Sequence, residues 1–125
     1  MPTKILVVED DSETREFLTV MLELRDYEVI TAKNGLEGII KASLEQPDLV
    51  VTDLGMPGVN GIDLITQLRA RSECASIPIL VITGYDMETA NEAIVAGANR
   101  ALAKPLNPDI VHVFIKDLIM KRRAH

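Results

Sequence analysis

Short apolar runs alternate with stretches of helical periodicity along the whole chain, and no other property of the sequence restricts its architecture as much. Ile5 to Val8 is the first run. Tyr27 to Ala32, with Val29 and Ile30 between polar neighbours, is the second, and Leu49 to Asp53, Ile77 to Ile82 and Arg100 to Ala103 follow. Between them, apolar residues recur three and four apart, the spacing that makes one face of a helix apolar. A first helix is predicted from about Ser12 to Leu24, with Phe17, Leu18, Met21 and Leu22 inward and Glu13 in the first turn, where negative charge is favoured. Asn34-Gly35 opens a second, with Leu36, Ile39, Ile40 and Leu44 as its apolar face, and Pro47 ends it. Ile62, Ile65 and Leu68 mark a third. Asp86 is expected to cap a fourth, with Ala90, Ala93 and Ile94 inside and Gly97 just past its end. Asn107, Pro108 and Asp109 supply a cap, a first-turn proline and a first-turn acid for a fifth, whose inner face is read as Ile110, Phe114 and Leu118.

The resulting order, βαβαβαβαβα, predicts an α/β fold with a five-stranded, doubly wound parallel sheet covered on both faces. With 125 residues, 47% of them hydrophobic, residues 1–125 are expected to form one domain around one core. Parallel strands bring all their carboxyl ends to one edge, and ligands of such sheets bind beyond that edge, where the winding direction switches. Four strands end there in polar residues: Glu9 and Asp10 after the first, Asp53 at the third, Thr83 after the fourth, Lys104 after the fifth. Asp53 closes a β-branched, apolar run and enters a loop holding Gly55, Gly58 and Gly61. Gly55 and Gly61 are expected to let that loop fold back.

Composition removes several classes of function. Thirteen basic against nineteen acidic residues give a net charge of -6, which disfavours direct nucleic-acid binding. The one basic cluster, Lys121-Arg122-Arg123, closes the last helix, where cations complement the dipole. A single cysteine, Cys74, excludes an internal disulfide and reads as a free thiol in a reducing cytosol. No apolar run approaches the ~18 residues of a spanning helix, so no membrane contact is expected.

Three converging carboxylates repel one another and must either raise a pKa or hold a cation. Hard oxygen donors at an exposed edge suit Mg²⁺, which takes one or two carboxylates together with phosphate oxygens and water. A carboxylate beside such a metal, with a lysine near, can attack a phosphoryl group and become an aspartyl phosphate. Thr83 can donate its hydroxyl to a phosphate oxygen or serve simply as a β-branched strand residue.

On these residues the chain resembles the receiver domains of two-component response regulators. Ile5-Leu6-Val7-Val8-Glu9-Asp10-Asp11 is similar to the family's opening strand and acid pair. Asp53 with Met56-Pro57 and Gly61 is similar to its phosphorylation loop, Thr83-Gly84 to its switch hydroxyl and small residue, and Lys104-Pro105 to its lysine and following cis peptide. The resemblance implies a flavodoxin-like three-layer fold with strand order 2-1-3-4-5. It implies Asp53 as phosphoacceptor, Asp10 as direct ligand of Mg²⁺, Glu9 as a ligand through water, and the Gly55 backbone carbonyl as another ligand. Thr83 and Lys104 would contact the phosphoryl group. The donor would be the phosphohistidine of a sensor histidine kinase or phosphotransfer protein, or a small donor such as acetyl phosphate. The output would be a downstream protein or an effector domain outside this chain, reached through helix four, strand five and helix five. Phosphorylation-dependent homodimerisation through the last helices is an option that the family offers. Such a domain is cytoplasmic and no enzyme in the ordinary sense, since it catalyses only its own phosphorylation and dephosphorylation.

The sequence departs from the family's pattern at three places. Ala101 stands where relatives carry the aromatic ring that rotates inward with the threonine. Leu106 replaces the Phe that commonly follows Lys-Pro, and Gly55 and Tyr85 occupy positions that tune rates in the family; Tyr85 is a candidate substitute for the lost ring. Taken singly, Asp53 reads as a solvated strand-end acid, Asp10 and Asp11 as helix-terminal acids and Lys104 as a surface lysine. A flavin carrier would share the architecture but want a Ser/Thr/Gly-rich phosphate loop where Glu9-Asp10-Asp11 stand. A phosphatase with an aspartyl nucleophile would follow its first strand with Asp-x-Asp, whereas Asp53 is followed by Leu54 and Gly55. A receiver used only for docking is the remaining rival. His112 reads as a half-buried or solvent-side ring rather than a relay histidine, and terminal His125 as a disordered residue.

Overall fold

A computed structural model of the chain describes residues 2–56, 58–84 and 87–124. Five strands, β1 (Lys4–Val8), β2 (Glu28–Ala32), β3 (Leu49–Asp53), β4 (Ile79–Thr83) and β5 (Arg100–Ala103), alternate with five helices. The helices are α1 (Ser12–Glu23), α2 (Gly35–Glu45), α3 (Gly61–Arg69), α4 (Met87–Ala96) and α5 (Pro108–Arg123). All strand pairs are parallel, in the order β2-β1-β3-β4-β5. The α/β, doubly wound parallel sheet is as the alternation predicts, its flavodoxin-like strand order is as the resemblance implies, and the winding reverses between β1 and β3.

Strand periodicity sorts the core into two layers. Ile5 and Val7 of β1, Leu49 and Val51 of β3, and Leu80 and Ile82 of β4 pack with α1 and α5. Leu6 and Val8, Val50, and Ile79 and Val81 pack on the opposite face with α2, α3 and α4. Both faces are covered, so the strands read as continuous apolar runs.

Short polar side chains begin the helices. Asp11, Asn34, Asn60 and Asn107 each accept a hydrogen bond from a backbone N–H of the first turn. Asp86, predicted as the fourth cap, lies outside the described residues, as do Pro57, Tyr85 and His125. Gly97 has φ +126°, the left-handed terminus expected of it.

Four helix faces differ from their predicted composition: Phe17 on α1 and Ile94 on α4, both predicted to face inward, are 44% and 42% exposed, and α2 and α5 differ further. α2 turns Gly35, Gly38, Ile39 and Ala42 inward and leaves Leu36, Ile40 and Leu44 exposed. The reason is proximity: a Cβ on Gly38 would lie 2.9 Å from Cγ2 of Val8, so the helix rests on β1 through its smallest residues. α5 buries Val111, Ile115, Leu118 and Ile119, with Ile110 exposed; Phe114 is half-buried and its ring supports the Arg100 guanidinium at 4.2 Å. Cys74 is buried, with Sγ 3.9 Å from Ser43 Oγ.

At the amino-terminal end of the sheet one side chain ties two loops together. Arg69, at the end of α3, donates through Nε to the Gly97 carbonyl at 3.0 Å and through Nη1 to the carbonyls of Cys74, Ala75 and Ile77 at 3.2, 3.1 and 2.8 Å. Its Nη2 reaches Asn99 Oδ1 at 3.0 Å, and the same oxygen accepts from Ile79 N at 2.8 Å.

Candidate functional site

The register of the sheet sets Asp53 beside Ile82 and Thr83 beside Ala103, so the polar residues after β1, β3, β4 and β5 meet at the carboxyl edge. Glu9, Asp10 and Asp53 each offer a carboxylate oxygen, all within 4.8 Å of one another. Lys104 Nζ lies 3.6 Å from Asp53 Oδ2 and 3.8 Å from Glu9 Oε1. Thr83 is buried at the end of β4, and its carbonyl accepts from Lys104 N at 2.8 Å, which fixes where the lysine leaves the sheet. The following Lys104–Pro105 bond is cis. Glu9, Asp10, Asp53 and Lys104 are thus in one cluster, beside the crevice between β1 and β3 where the winding reverses, and Thr83 ends the neighbouring β4 at the same edge.

Glu9 is the most constrained member. It is only 2% exposed, and neither carboxylate oxygen has a hydrogen-bond partner among the described residues. Burial above all, and the Asp53 carboxylate beside it, push its pKa up to about 8; Lys104 opposes the rise and Asp10 adds to it. A buried carboxylate with both oxygens unsatisfied, facing two more carboxylates, is a poor structural element and a good cation ligand. The donor set is all hard oxygen, so these residues fit a hard divalent cation.

Neighbouring residues hold the acids in place. Arg15 Nη1 donates to the Glu9 carbonyl at 2.9 Å, anchoring the β1–α1 loop. Asp11 points away from the cluster: its carboxylate accepts from Thr14 N at 2.9 Å and Thr14 Oγ1 at 2.6 Å, and those bonds hold its pKa below the usual carboxylate value. Asp10 and Asp11 therefore divide the labour that the sequence left undivided, one facing the site and one capping α1. The spacing Asp-x-x-Thr was the available signal for the cap; nothing in the sequence singled out Arg15.

The loop after Asp53 folds back through glycines, though not the pair expected. Gly58 takes φ +72°, and a Cβ at Gly61 would collide with the Asp53 carbonyl and lie 2.7 Å from Leu54 Cα. Gly55 has open space around it and an ordinary φ, so its backbone needs no glycine; its N–H points to Asp53 Oδ1 at 3.4 Å. His112 takes no part in the site. It sits on α5, half-buried, its ring centroid 5.8 Å from that of Tyr27, and burial followed by the charges of Arg25 and Lys116 lowers its pKa.

Residues 5–116 match the family profile described as the response regulator receiver domain. The chain belongs to that family. It is 35% identical, over its whole length, to the transcriptional regulatory protein KdpE of Staphylococcus aureus, covering 53% of that protein. It is 40% identical to protein PilH of Pseudomonas aeruginosa over 69% of this chain and 71% of PilH. Among solved structures, chemotaxis protein CheY4 of Vibrio cholerae superposes with a TM-score of 0.88 at 28% identity, covering 94% of this chain and 99% of CheY4. The receiver domain spans about half the length of KdpE and of several other curated relatives. No helix of the described residues is long and apolar enough to cross a membrane.

Proposed function

We propose that this receiver domain accepts a phosphoryl group on Asp53 from the phosphohistidine of a sensor histidine kinase or phosphotransfer protein, or from a small phosphodonor. The observation that carries the reading is the Asp53–Lys104 approach of 3.6 Å at a sheet edge where the Glu9, Asp10 and Asp53 carboxylates cluster and β4 ends in Thr83. An Asp53 oxygen attacks phosphorus as the donor's N–P or O–P bond breaks, and the leaving group departs in line. Lys104 follows the charge from the carboxylate to the phosphoryl oxygens, and the Thr83 hydroxyl donates to one of them. Asp10, Asp53 and the Gly55 carbonyl would hold Mg²⁺ directly, and Glu9 through water. Mg²⁺ supplies neutralisation of the phosphoryl oxygens when bound. Glu9, burdened by burial, is the residue whose ionisation then becomes favourable.

The signal would leave through α4, β5 and α5 to a downstream protein or an attached effector domain, in the cytoplasm. Ala101 is half-buried against the α2–α4 layer of the core, and carries no ring to rotate. Leu106 packs on the opposite layer and lines, with Lys104 and Phe17, a cleft of about 370 Å³ next to the site. Readout then depends on Thr83 and the backbone of β5 rather than on an aromatic hinge at position 101. Incubation with Mg²⁺ and acetyl phosphate, followed by intact-mass measurement, should give one added phosphate that is absent in Asp53→Asn. No adduct on the wild type, or one that persists in Asp53→Asn, would overturn the reading and leave a docking module.

A further inference from the structure

The ridge of α2 that faces away from the sheet is apolar from end to end. Leu36, Ile40 and Leu44 recur every four residues and are 59%, 50% and 77% exposed. Three large aliphatic side chains aligned on one exposed helix face exceed the scattered exposure of single apolar residues that any surface shows. Beside the ridge runs an open groove of about 450 Å³, between Leu36 and Ile40 of α2 on one side and, on the other, Val59 just before α3, Asp63 and Gln67 on it and Arg71 just after it.

The groove has a direction. α2 and α3 each return antiparallel to a strand of the same parallel sheet on the same face, so their amino-terminal ends lie together, and the Val59 carbonyl rests against Gly35. Asp63 therefore closes the Leu36 end of the groove, and Arg71 the Leu44 end. Both are exposed, and neither forms an ion pair among the described residues.

An apolar ridge with an anion at one end and a cation at the other is complementary to itself turned end for end. We propose that this chain self-associates through the α2–α3 face as an antiparallel, two-fold dimer centred on Ile40. In that arrangement Leu36 meets Leu44 of the second copy and Asp63 meets Arg71 of the second copy, and the two-fold axis makes each contact occur twice. The patch is smaller than the ~1,200–2,000 Å² buried in stable complexes. The net charge of -6 per chain also opposes association. The dimer is accordingly weak, with Kd on the order of 0.1 mM. The surface is separate from the carboxyl-edge site and does not depend on the phosphoacceptor reading.

Sedimentation equilibrium of the full chain from about 0.02 to 1 mM spans that Kd and should show a monomer–dimer equilibrium. Ile40→Glu and Leu44→Lys should each weaken it tenfold or more while the far-ultraviolet circular dichroism stays that of the wild type; Leu44, the most exposed of the three, is the variant safest for folding. Asp63→Arg and Arg71→Asp should each weaken it at least threefold. An equimolar mixture of the two single reversals should restore it, because both ends then join opposite charges. Val95→Lys on α4, at a position 88% exposed, should change nothing. A wild type that stays monomeric throughout, a dimer indifferent to Leu44→Lys, a dimer lost in Val95→Lys, or a mixture no tighter than its components would each overturn the proposal.

Discussion

Lys104 Nζ lies 3.6 Å from Asp53 Oδ2 and 3.8 Å from Glu9 Oε1, so one ammonium group answers two carboxylates that have no other cation among the described residues. Removing it should cost phosphoacceptance more than folding. Lys104→Met is expected to slow phosphorylation by acetyl phosphate about 10²-fold, the usual scale for losing one preorganised charge at a reacting oxygen. It should also tighten Mg²⁺ binding, since the cluster gains a net negative charge. A time course by intact mass, with Mg²⁺ titrated calorimetrically, tests both; an unchanged rate would remove Lys104 from the reaction.

Glu9 carries a pH dependence with a definite sign. Its folded-state pKa of about 8 lies above the ordinary 4.5, so without divalent cation the folded chain keeps a proton that the unfolded chain releases. The stabilisation is complete below 4.5 and is lost as pH rises through about 8. The urea midpoint of the metal-free protein should therefore fall over that window. Glu9→Gln should flatten the slope, and millimolar Mg²⁺ should abolish it by replacing the proton with a cation.

Gly61 is held where backbone meets backbone, against the Asp53 carbonyl and Leu54 Cα. Neither neighbour can rotate away, so Gly61→Ala should destabilise by about 1–3 kcal/mol and displace Asp53. Gly55→Ala, with open space around the Cβ, should be nearly neutral in stability. Paired thermal melts compare them; equal effects would refute the distinction.

Arg69 satisfies five acceptors from two loops with one guanidinium. Arg69→Met keeps most of the stem and strips the donors, and should cost about 2–4 kcal/mol. Hydrogen exchange should rise first at Ile79, whose N–H shares Asn99 Oδ1 with Arg69. Protection unchanged at Ile79 would show that Asn99 holds that edge unaided.

The acidic edge was legible because parallel strands leave little freedom. Once β1, β3, β4 and β5 are assigned, Glu9, Asp10, Asp53, Thr83 and Lys104 must converge. Helix faces were less legible, because the sequence marks large residues and packing here selects small ones. Gly38 and Ala42 let α2 settle on Val8, which sends Leu36, Ile40 and Leu44 outward against the pattern of hydrophobicity. In α5 the series Ile110, Phe114 and the series Val111, Ile115 are equally apolar, and only the angle at which the helix meets the sheet decides between them. Arg69 was invisible for a different reason: four of its five acceptors are backbone carbonyls, which any sequence supplies.

The Arg69 tether also fixes the place where α4 ends. Its bond to the Gly97 carbonyl pins the helix at its carboxyl end, and the other end follows Thr83-Gly84 in the sequence, at the carboxyl edge of the sheet. With about 1.5 Å of rise per residue, the ten residues of α4 then span ~15 Å between that anchor and the Met87 end.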